Sequence, residues 1–248
     1  MDETGRIALV TGAVRGIGLE TARQLGRQGM HVLVAGRRHD QAEHVAQRLR
    51  DEGVSAEGVV LDIGNTAQQI ALRDWIAGTH GRLDVLVNNA GVLLDRGPGG
   101  VAPPPSATPI QILRDTFEIN LFATVQLTQI LLPLILKSKA GRIVNLSSIL
   151  GSLGEHSNPA SSIYGKLTFA YDASKTALNA FTVHLAHELK DTGIKVNSAH
   201  PGWVRTEMGG EAAPLDVAAG ALTSVRLATL PDDGPTGGFF HMDRSLPW

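Results

Sequence analysis

Cysteine is absent from the 248-residue chain, which excludes disulfides and thiolate-bound metal. Runs of one charge sign are also missing. The formal net charge is -2 with both signs dispersed, so nothing resembles a phosphate-backbone footprint and no nucleic-acid partner is expected. No long hydrophobic run stands out either. The most apolar stretch, Leu121 to Leu136, is broken by Thr124, Gln126, Thr128, Gln129 and Pro133 and reads as too short and too polar to span a bilayer. The opening Asp2-Glu3-Thr4-Gly5-Arg6 has no apolar secretory core. A cytoplasmic protein with no membrane contact is therefore expected. Only two tyrosines, Tyr164 and Tyr171, are present.

What is present alternates. Ile7 to Val10, His31 to Ala35, Gly58 to Leu61, Val85 to Asn88, Arg142 to Leu146 and Lys195 to Ala199 read as buried strands bounded by turn-forming residues. Helical patterns fill the intervals near Gly18 to Gln28, Asp40 to Glu52, Ala67 to Thr79, Ile110 to Leu132 and Tyr171 to Asp191. Such alternation implies right-handed crossovers and an α/β fold: one domain over residues 1–248, a doubly wound parallel sheet of the Rossmann type with helices on both faces. Ligands of these sheets bind beyond the carboxyl ends of the strands. The Gly- and Pro-rich interval Val92 to Pro109, with Pro98, Pro103, Pro104 and Pro105, is read as a surface loop on that side.

The first strand ends in Thr11-Gly12-Ala13-Val14-Arg15-Gly16-Ile17-Gly18. Glycines there allow a tight turn and close approach of a pyrophosphate to the next helix N-terminus. An ordinary βα turn has the same look, and the Gly-Lys-Ser/Thr of a P-loop is missing. After the second strand, where a dinucleotide fold usually carries a ribose-binding acid, the chain reads Ala35-Gly36-Arg37-Arg38. Two guanidinium groups there, with Arg15 closing from the Gly turn, suit a 2′-phosphate and favour NADP(H) over NAD(H). Asp40 reads as the N-cap of the following helix.

Tyr171 and Lys175 stand four apart at the start of a helical pattern, so their side chains share a face. An ammonium near a phenol favours phenolate and is expected to lower its pKa, suiting Tyr171 to general acid or base catalysis. An isolated Y-x-x-x-K is more often a solvated helix face. His184, His187 and Glu188 share the same helix, but H-x-x-H-E matches no zinc-protease motif and no metal is expected. His200, at a strand end, reads as a cofactor or backbone contact.

Taken together these residues resemble the short-chain dehydrogenase/reductase family over nearly the whole chain. Thr11 to Gly18 is similar to its T-G-x-x-x-G-I-G, and Asn88 to Gly91 to its N-N-A-G, so Asn89, Ala90 and Gly91 join the expected cofactor contacts. The resemblance implies adenine contacts from Asp62 and Ile63. It also implies a catalytic tetrad of Asn120, Ser148, Tyr171 and Lys175, with Ser148 chosen over Ser147 because the family's serine precedes a glycine by three positions, here Gly151. Lys175 would also bind the cofactor ribose beside Tyr171. Pro201-Gly202-Trp203-Val204-Arg205-Thr206 resembles P-G-x-V-x-T, which implies nicotinamide contacts from Pro201, Gly202, Val204 and Thr206.

The activity so implied is reduction of a ketone or aldehyde, reversible as alcohol oxidation, as in the NADPH-dependent carbonyl reductase branch, whose tail Gly234 to Phe240 and Leu246 to Trp248 resemble. Two alternatives stay open: a nucleotide-sugar epimerase or dehydratase, and a non-catalytic NADP(H) sensor. Residues 149–170 read as an inserted loop and 203–215 as a mobile lid, both bordering the cleft, with Tyr164 a substrate contact. Family dimer faces on the helices holding Phe117, Phe122, Leu127 and Leu131 make a homodimer or homotetramer an expectation, and a monomer stays open because a larger insertion accompanies monomeric relatives.

Overall fold

Runs of four to six mostly aliphatic residues, too apolar for an exposed edge, form the centre of one sheet. The computed structural model describes residues 5–96 and 101–248. Asp2, Glu3 and Thr4 of the polar opening and Pro98 of the long loop lie outside the described residues.

In chain order the elements are β1 (Ile7–Val10), α1 (Gly16–Arg27), β2 (His31–Gly36), α2 (His39–Asp51), β3 (Ala56–Val60), α3 (Thr66–Thr79) and β4 (Val85–Asn88). Then come α4 (Ile110–Phe117), a π-helical segment (Glu118–Ala123), α5 (Thr124–Ile135), β5 (Arg142–Leu146), α6 (Leu153–Ser157), α7 (Phe169–Glu188), β6 (Lys195–Ala199), α8 (Val217–Ala228), β7 (Phe239–His241) and β8 (Arg244–Ser245). The strand order is β3-β2-β1-β4-β5-β6-β7-β8. All pairs are parallel except β7 with β8, which closes the edge antiparallel. The order reverses between β1 and β4, which makes that crevice the switch point where ligands of open α/β sheets sit.

Strand side chains alternate between two cores, as a period of two requires. Ala8, Val10, Val32, Val34, Val85 and Val144 pack with Leu25 of α1, Leu49 of α2 and Val225 of α8. On the other face Ile7, Leu9, Leu33, Leu86 and Ile143 pack with Ile76 of α3, Leu127 of α5 and Leu185 of α7. Filling both faces explains why these strands lack polar alternation.

Four sequence expectations are corrected. The pattern over Ile110 to Leu132 is not one uniform α-helix, because π-helical turns interrupt it at Glu118–Ala123. Helix α8 and strands β7 and β8 were not anticipated; two and three residues are too few to show a period. Residues 149–170 hold a 3₁₀ turn and α6 as well as loop, and the Gly154 N–H donates to the Trp248 carbonyl at 2.8 Å. The combined helix Ile110–Ile135 is long and apolar enough to cross a membrane by length and composition, against the expectation of too short a run. Its Leu127, Leu131, Leu134 and Ile135 are nevertheless buried in the protein core.

Candidate functional site

Each expected site residue except Asn120, Tyr171 and Lys175 lies on a loop or turn just beyond the carboxyl end of a strand or, for Gly16, Ile17 and Gly18, in the first turn of the helix that follows it. Asn120, Tyr171 and Lys175 sit on helices packed beside that edge. Between β1 and α1, Gly12 and Gly16 adopt φ of +62° and +57°, where a side chain would be strained. A Cβ on Gly18 would stand 2.4 Å from Asn89 Nδ2 and 2.5 Å from the Gly12 carbonyl, so the turn closes only with glycine there. The Thr11 hydroxyl accepts from the N–H groups of Asn89 and Ala90, each at 2.9 Å, and Asn89 Nδ2 donates to the Thr11 carbonyl at 2.7 Å. Those bonds lock the loop after β4 to the turn after β1, on the two sides of the switch point. Ile17 packs on the core while Ile63 is buried in it, so any ligand contact of Ile63 falls to its backbone. Asp62 uses its carboxylate to accept from the Gly64 N–H at 3.1 Å.

The arginines divide. Arg37 is exposed and, among the described residues, has no ion pair or side-chain hydrogen bond. Arg38 is paired with Asp40, which holds that carboxyl below its ordinary range. Asp40 is thus not the N-cap expected for α2; Arg38 occupies the cap position and Asp40 the first turn. Arg15, expected to close on a 2′-phosphate from the Gly turn, forms an ion pair with Glu207 of the 203–215 segment.

That segment folds on itself. Trp203 Nε1 donates to the Gly209 carbonyl at 2.8 Å, Thr206 Oγ1 accepts from the Gly209 N–H at 3.0 Å, and Val204 bridges to Leu215. Gly202 provides the positive φ (+86°) that lets the chain leave Pro201 into this loop. The Lys166 ammonium lies 5.3 Å from the Trp203 ring centre, and the Arg96 guanidinium donates to the Met208 carbonyl at 2.9 Å. Arg15, Gly91 to Leu94, Arg96, Glu207 and Met208 line a cleft of about 280 Å³. Tyr164, offered as a substrate contact, is half exposed in a turn of residues 161–165.

At the floor, Ser148 caps the 3₁₀ turn after β5, its Oγ accepting from the Leu150 N–H at 3.2 Å. Gly151 explains the turn's proximity to α7: a Cβ there would come within 2.8 Å of Lys175 backbone and side-chain atoms. Tyr171 stands in the first turn of α7 and Lys175 one turn on, both buried. The Lys175 ammonium donates to the Leu146 carbonyl at 2.8 Å and lies 5.5 Å from the Tyr171 ring centre. A Cβ on Gly91 would stand 3.2 Å from Asn120 Oδ1 and 3.4 Å from Lys175 Nζ, so bare backbone meets the ammonium here. Asn120, within the π-helical segment, accepts from the Val92 N–H and donates to the Val92 carbonyl, both at 2.8 Å, and donates to Ser174 Oγ at 3.0 Å. Its side chain therefore clamps the β4 loop to α7, and the broken helical bonding sits where functional sites often place π-bulges.

The expected lowering of the Tyr171 pKa is not what this environment does. Burial pushes the phenol up to about 12, against the pull of its hydrogen bond to Ser148, with Asp172 adding to the rise. Burial likewise pulls Lys175 down to about 8. Sequence spacing predicted the meeting of the two groups; desolvation reversed its electrical consequence. His200 makes the backbone contact expected of it, accepting from the Ile149 N–H at Nδ1 (3.2 Å), and burial lowers its pKa to about 3.

Asp95 escaped the sequence reading. Its buried carboxylate accepts from the N–H groups of Ala170 at 2.8 Å and Tyr171 at 3.4 Å, capping α7 from 75 residues away. Asp172 satisfies a further end group by accepting from the Thr168 N–H at 3.0 Å. No local pattern marks Asp95, since it lies in the irregular Val92–Pro109 interval. Ser174 was also missed; it bridges Asn120 to the Tyr171 carbonyl, to which it donates at 2.7 Å. His184, His187 and Glu188 are all exposed.

A sequence profile described as short chain dehydrogenase matches residues 6–215. Carbonyl reductase (NADPH) 1 of Mus musculus is 32% identical over the full length of both chains. (-)-Isopiperitenone reductase of Mentha piperita is 33% identical over 99% of each. A solved short chain dehydrogenase from Shigella flexneri 2a, complexed with NADP, is 32% identical, with a TM-score of 0.83 over 98% of this chain and 100% of that one.

Proposed function

This chain belongs to the short-chain dehydrogenase/reductase family, and on that premise we propose that it reduces a ketone or aldehyde with NADPH, reversibly. The observation that carries the reading is the buried Ser148–Tyr171 pair with the Lys175 ammonium beside it, facing the bare backbone of Gly91 at the switch point.

The residues fit a dinucleotide. Gly12 to Gly18 at the α1 N-terminus would hold the pyrophosphate, Asp62 and the Ile63 backbone the adenine, and Asn89 to Gly91 with Lys175 the nicotinamide ribose. Pro201, Gly202, Val204 and Thr206 would flank the nicotinamide. Arg37 is the group available to a 2′-phosphate, whereas Arg38 has to exchange Asp40 for it and Arg15 has to leave Glu207. The bound nicotinamide supplies hydride to the carbonyl carbon.

The chain's own residues manage position and protons. The Ser148 hydroxyl holds the carbonyl oxygen, which stabilises the charge developing there. The Tyr171 phenol, kept protonated by its burial, gives its proton to that oxygen. The Asn120 clamp and the Asp95 cap fix Tyr171 relative to the β4 loop. Val92, Leu93, Leu94 and Met208 give the cleft apolar walls, suited to a carbonyl on a hydrophobic body.

The test follows NADPH absorbance with a panel of apolar ketones and aldehydes. The native protein is expected to turn over at least one, Tyr171→Phe none, and Tyr164→Phe to keep measurable activity. Loss with Tyr164→Phe and survival with Tyr171→Phe would overturn the assignment, and NADPH binding with no turnover on any carbonyl would favour a sensor.

A further inference from the structure

At the opposite edge of the sheet, beyond the amino ends of the strands, three side chains from separate elements converge. His31 opens β2, Glu57 lies on β3 and His80 caps the carboxyl end of α3. The ligand-capable atoms they offer all lie within 4.8 Å of one another, with His31 Nε2 3.8 Å from Glu57 Oε2. The two imidazole rings are 5.3 Å apart and tilted by 44°. We propose that His31, Glu57 and His80 form a binding site for a divalent transition ion of the zinc class, which ties β2, β3 and α3 together.

The chemistry of the donors carries this. Nε2 of His31 and Nε2 of His80 are both buried and without a hydrogen-bond partner, an arrangement that costs free energy unless something accepts their lone pairs. The His31 Nδ1 lies 2.7 Å from Ser55 Oγ. In the tautomer that carries its proton on Nδ1, Ser55 accepts that proton and Nε2 turns a lone pair toward Glu57, the outer-sphere device that orients metal-bound histidines elsewhere. Two imidazoles and one carboxylate suit zinc, with a fourth position left to water. Zinc bonds of about 2.0–2.2 Å set tetrahedral ligands roughly 3.4 Å apart, so the side chains have to close by about 1 Å or slightly more. The residues are dispersed along the chain, so no spacing motif announces the site.

Trp75 provides a reporter, since its ring packs edge-on against His80 with centres 5.4 Å apart. The experiment uses tag-free, chelator-treated full-length protein. Dialysis against zinc is expected to leave one ion per chain. A hundredfold excess over Kd should raise Tm by about 5 °C or more. Cobalt(II) should quench tryptophan emission, and Trp75→Phe should remove most of that quenching while cobalt stays bound. The paired variant His31→Gln/His80→Gln should lose the ion and the metal-dependent Tm shift while retaining a cooperative melt. If that variant does not fold, Glu57→Gln, half exposed, is expected to lower zinc affinity at least tenfold. A native protein that retains no zinc, or variants that bind it as tightly as the native chain, would overturn the proposal. None of these readouts involves carbonyl turnover, so the result is independent of the proposed activity.

Discussion

Replacing Lys175 with methionine is expected to stabilise the fold at pH 7 and destabilise it at high pH. The folded chain holds this ammonium fully buried, with its pKa down at about 8 against an ordinary 10.5. A lysine depressed in this way opposes folding at every pH below about 8, because the unfolded chain keeps the proton more readily. The penalty is relieved as pH climbs from 8 to 10.5, so native stability from this site rises with pH across that window. The shift corresponds to about 3 kcal/mol. Methionine removes the penalty but also the bond from Nζ to the Leu146 carbonyl, leaving a buried acceptor at a cost of about 1–2 kcal/mol. The net at pH 7 is about 1–2 kcal/mol of added stability, a Tm increase of roughly 2–8 °C for a chain of this size. At pH 10 most of the penalty has gone and the lost bond should leave the variant the less stable of the two. Urea denaturation of both proteins at pH 7 and pH 10 reads the site, since titrations remote from it cancel in the difference. A difference that does not change with pH would refute the assignment of buried charge to Lys175.

Asp95→Ala should cost about 1–2 kcal/mol by uncapping α7 and, because Tyr171 is the third residue of that helix, lower kcat more than KM in a ketone assay. Arg37→Asp should reduce kcat/KM for NADPH by about 10–100-fold, the loss of one charge-assisted contact, and move preference toward NADH; unchanged selectivity in steady-state kinetics would place the 2′-phosphate elsewhere. Gly18→Ala forces a methyl onto Asn89 Nδ2 and the Gly12 carbonyl, which should destabilise by about 1–3 kcal/mol in chemical denaturation and weaken dinucleotide binding measured by fluorescence titration.

The sheet was legible because its strands are buried on both faces and their aliphatic runs need no tertiary partner to be read. The motif glycines were legible for a related reason: a turn in which a Cβ at position 18 would stand 2.5 Å from the Gly12 carbonyl leaves one residue type available there. Strands β7 and β8 were not legible, because short edge segments are specified by what they pair with. Asp95 was hidden for the same cause. Its role exists only once the loop after β4 meets the N-terminus of α7, and a carboxylate in a Gly- and Pro-rich interval looks like any solvated loop acid. Arg15 shows the limit in another form, since its position suited a phosphate while its partner Glu207 comes from the far end of the chain.

The direction of the Tyr171 shift shows which force wins in the site. An ammonium beside a phenol favours the phenolate and acts to pull the pKa down. The phenol instead moves up, to about 12, because its burial outweighs the opposing hydrogen bond to Ser148, with Asp172 adding to the rise. Such a phenol keeps its proton at neutral pH, the form that carbonyl reduction in the proposed reaction consumes, while the raised pKa also makes each transfer from it less favourable. The four-residue spacing of Tyr171 and Lys175 could not reveal the direction of the shift, since spacing reports contact and burial decides its sign.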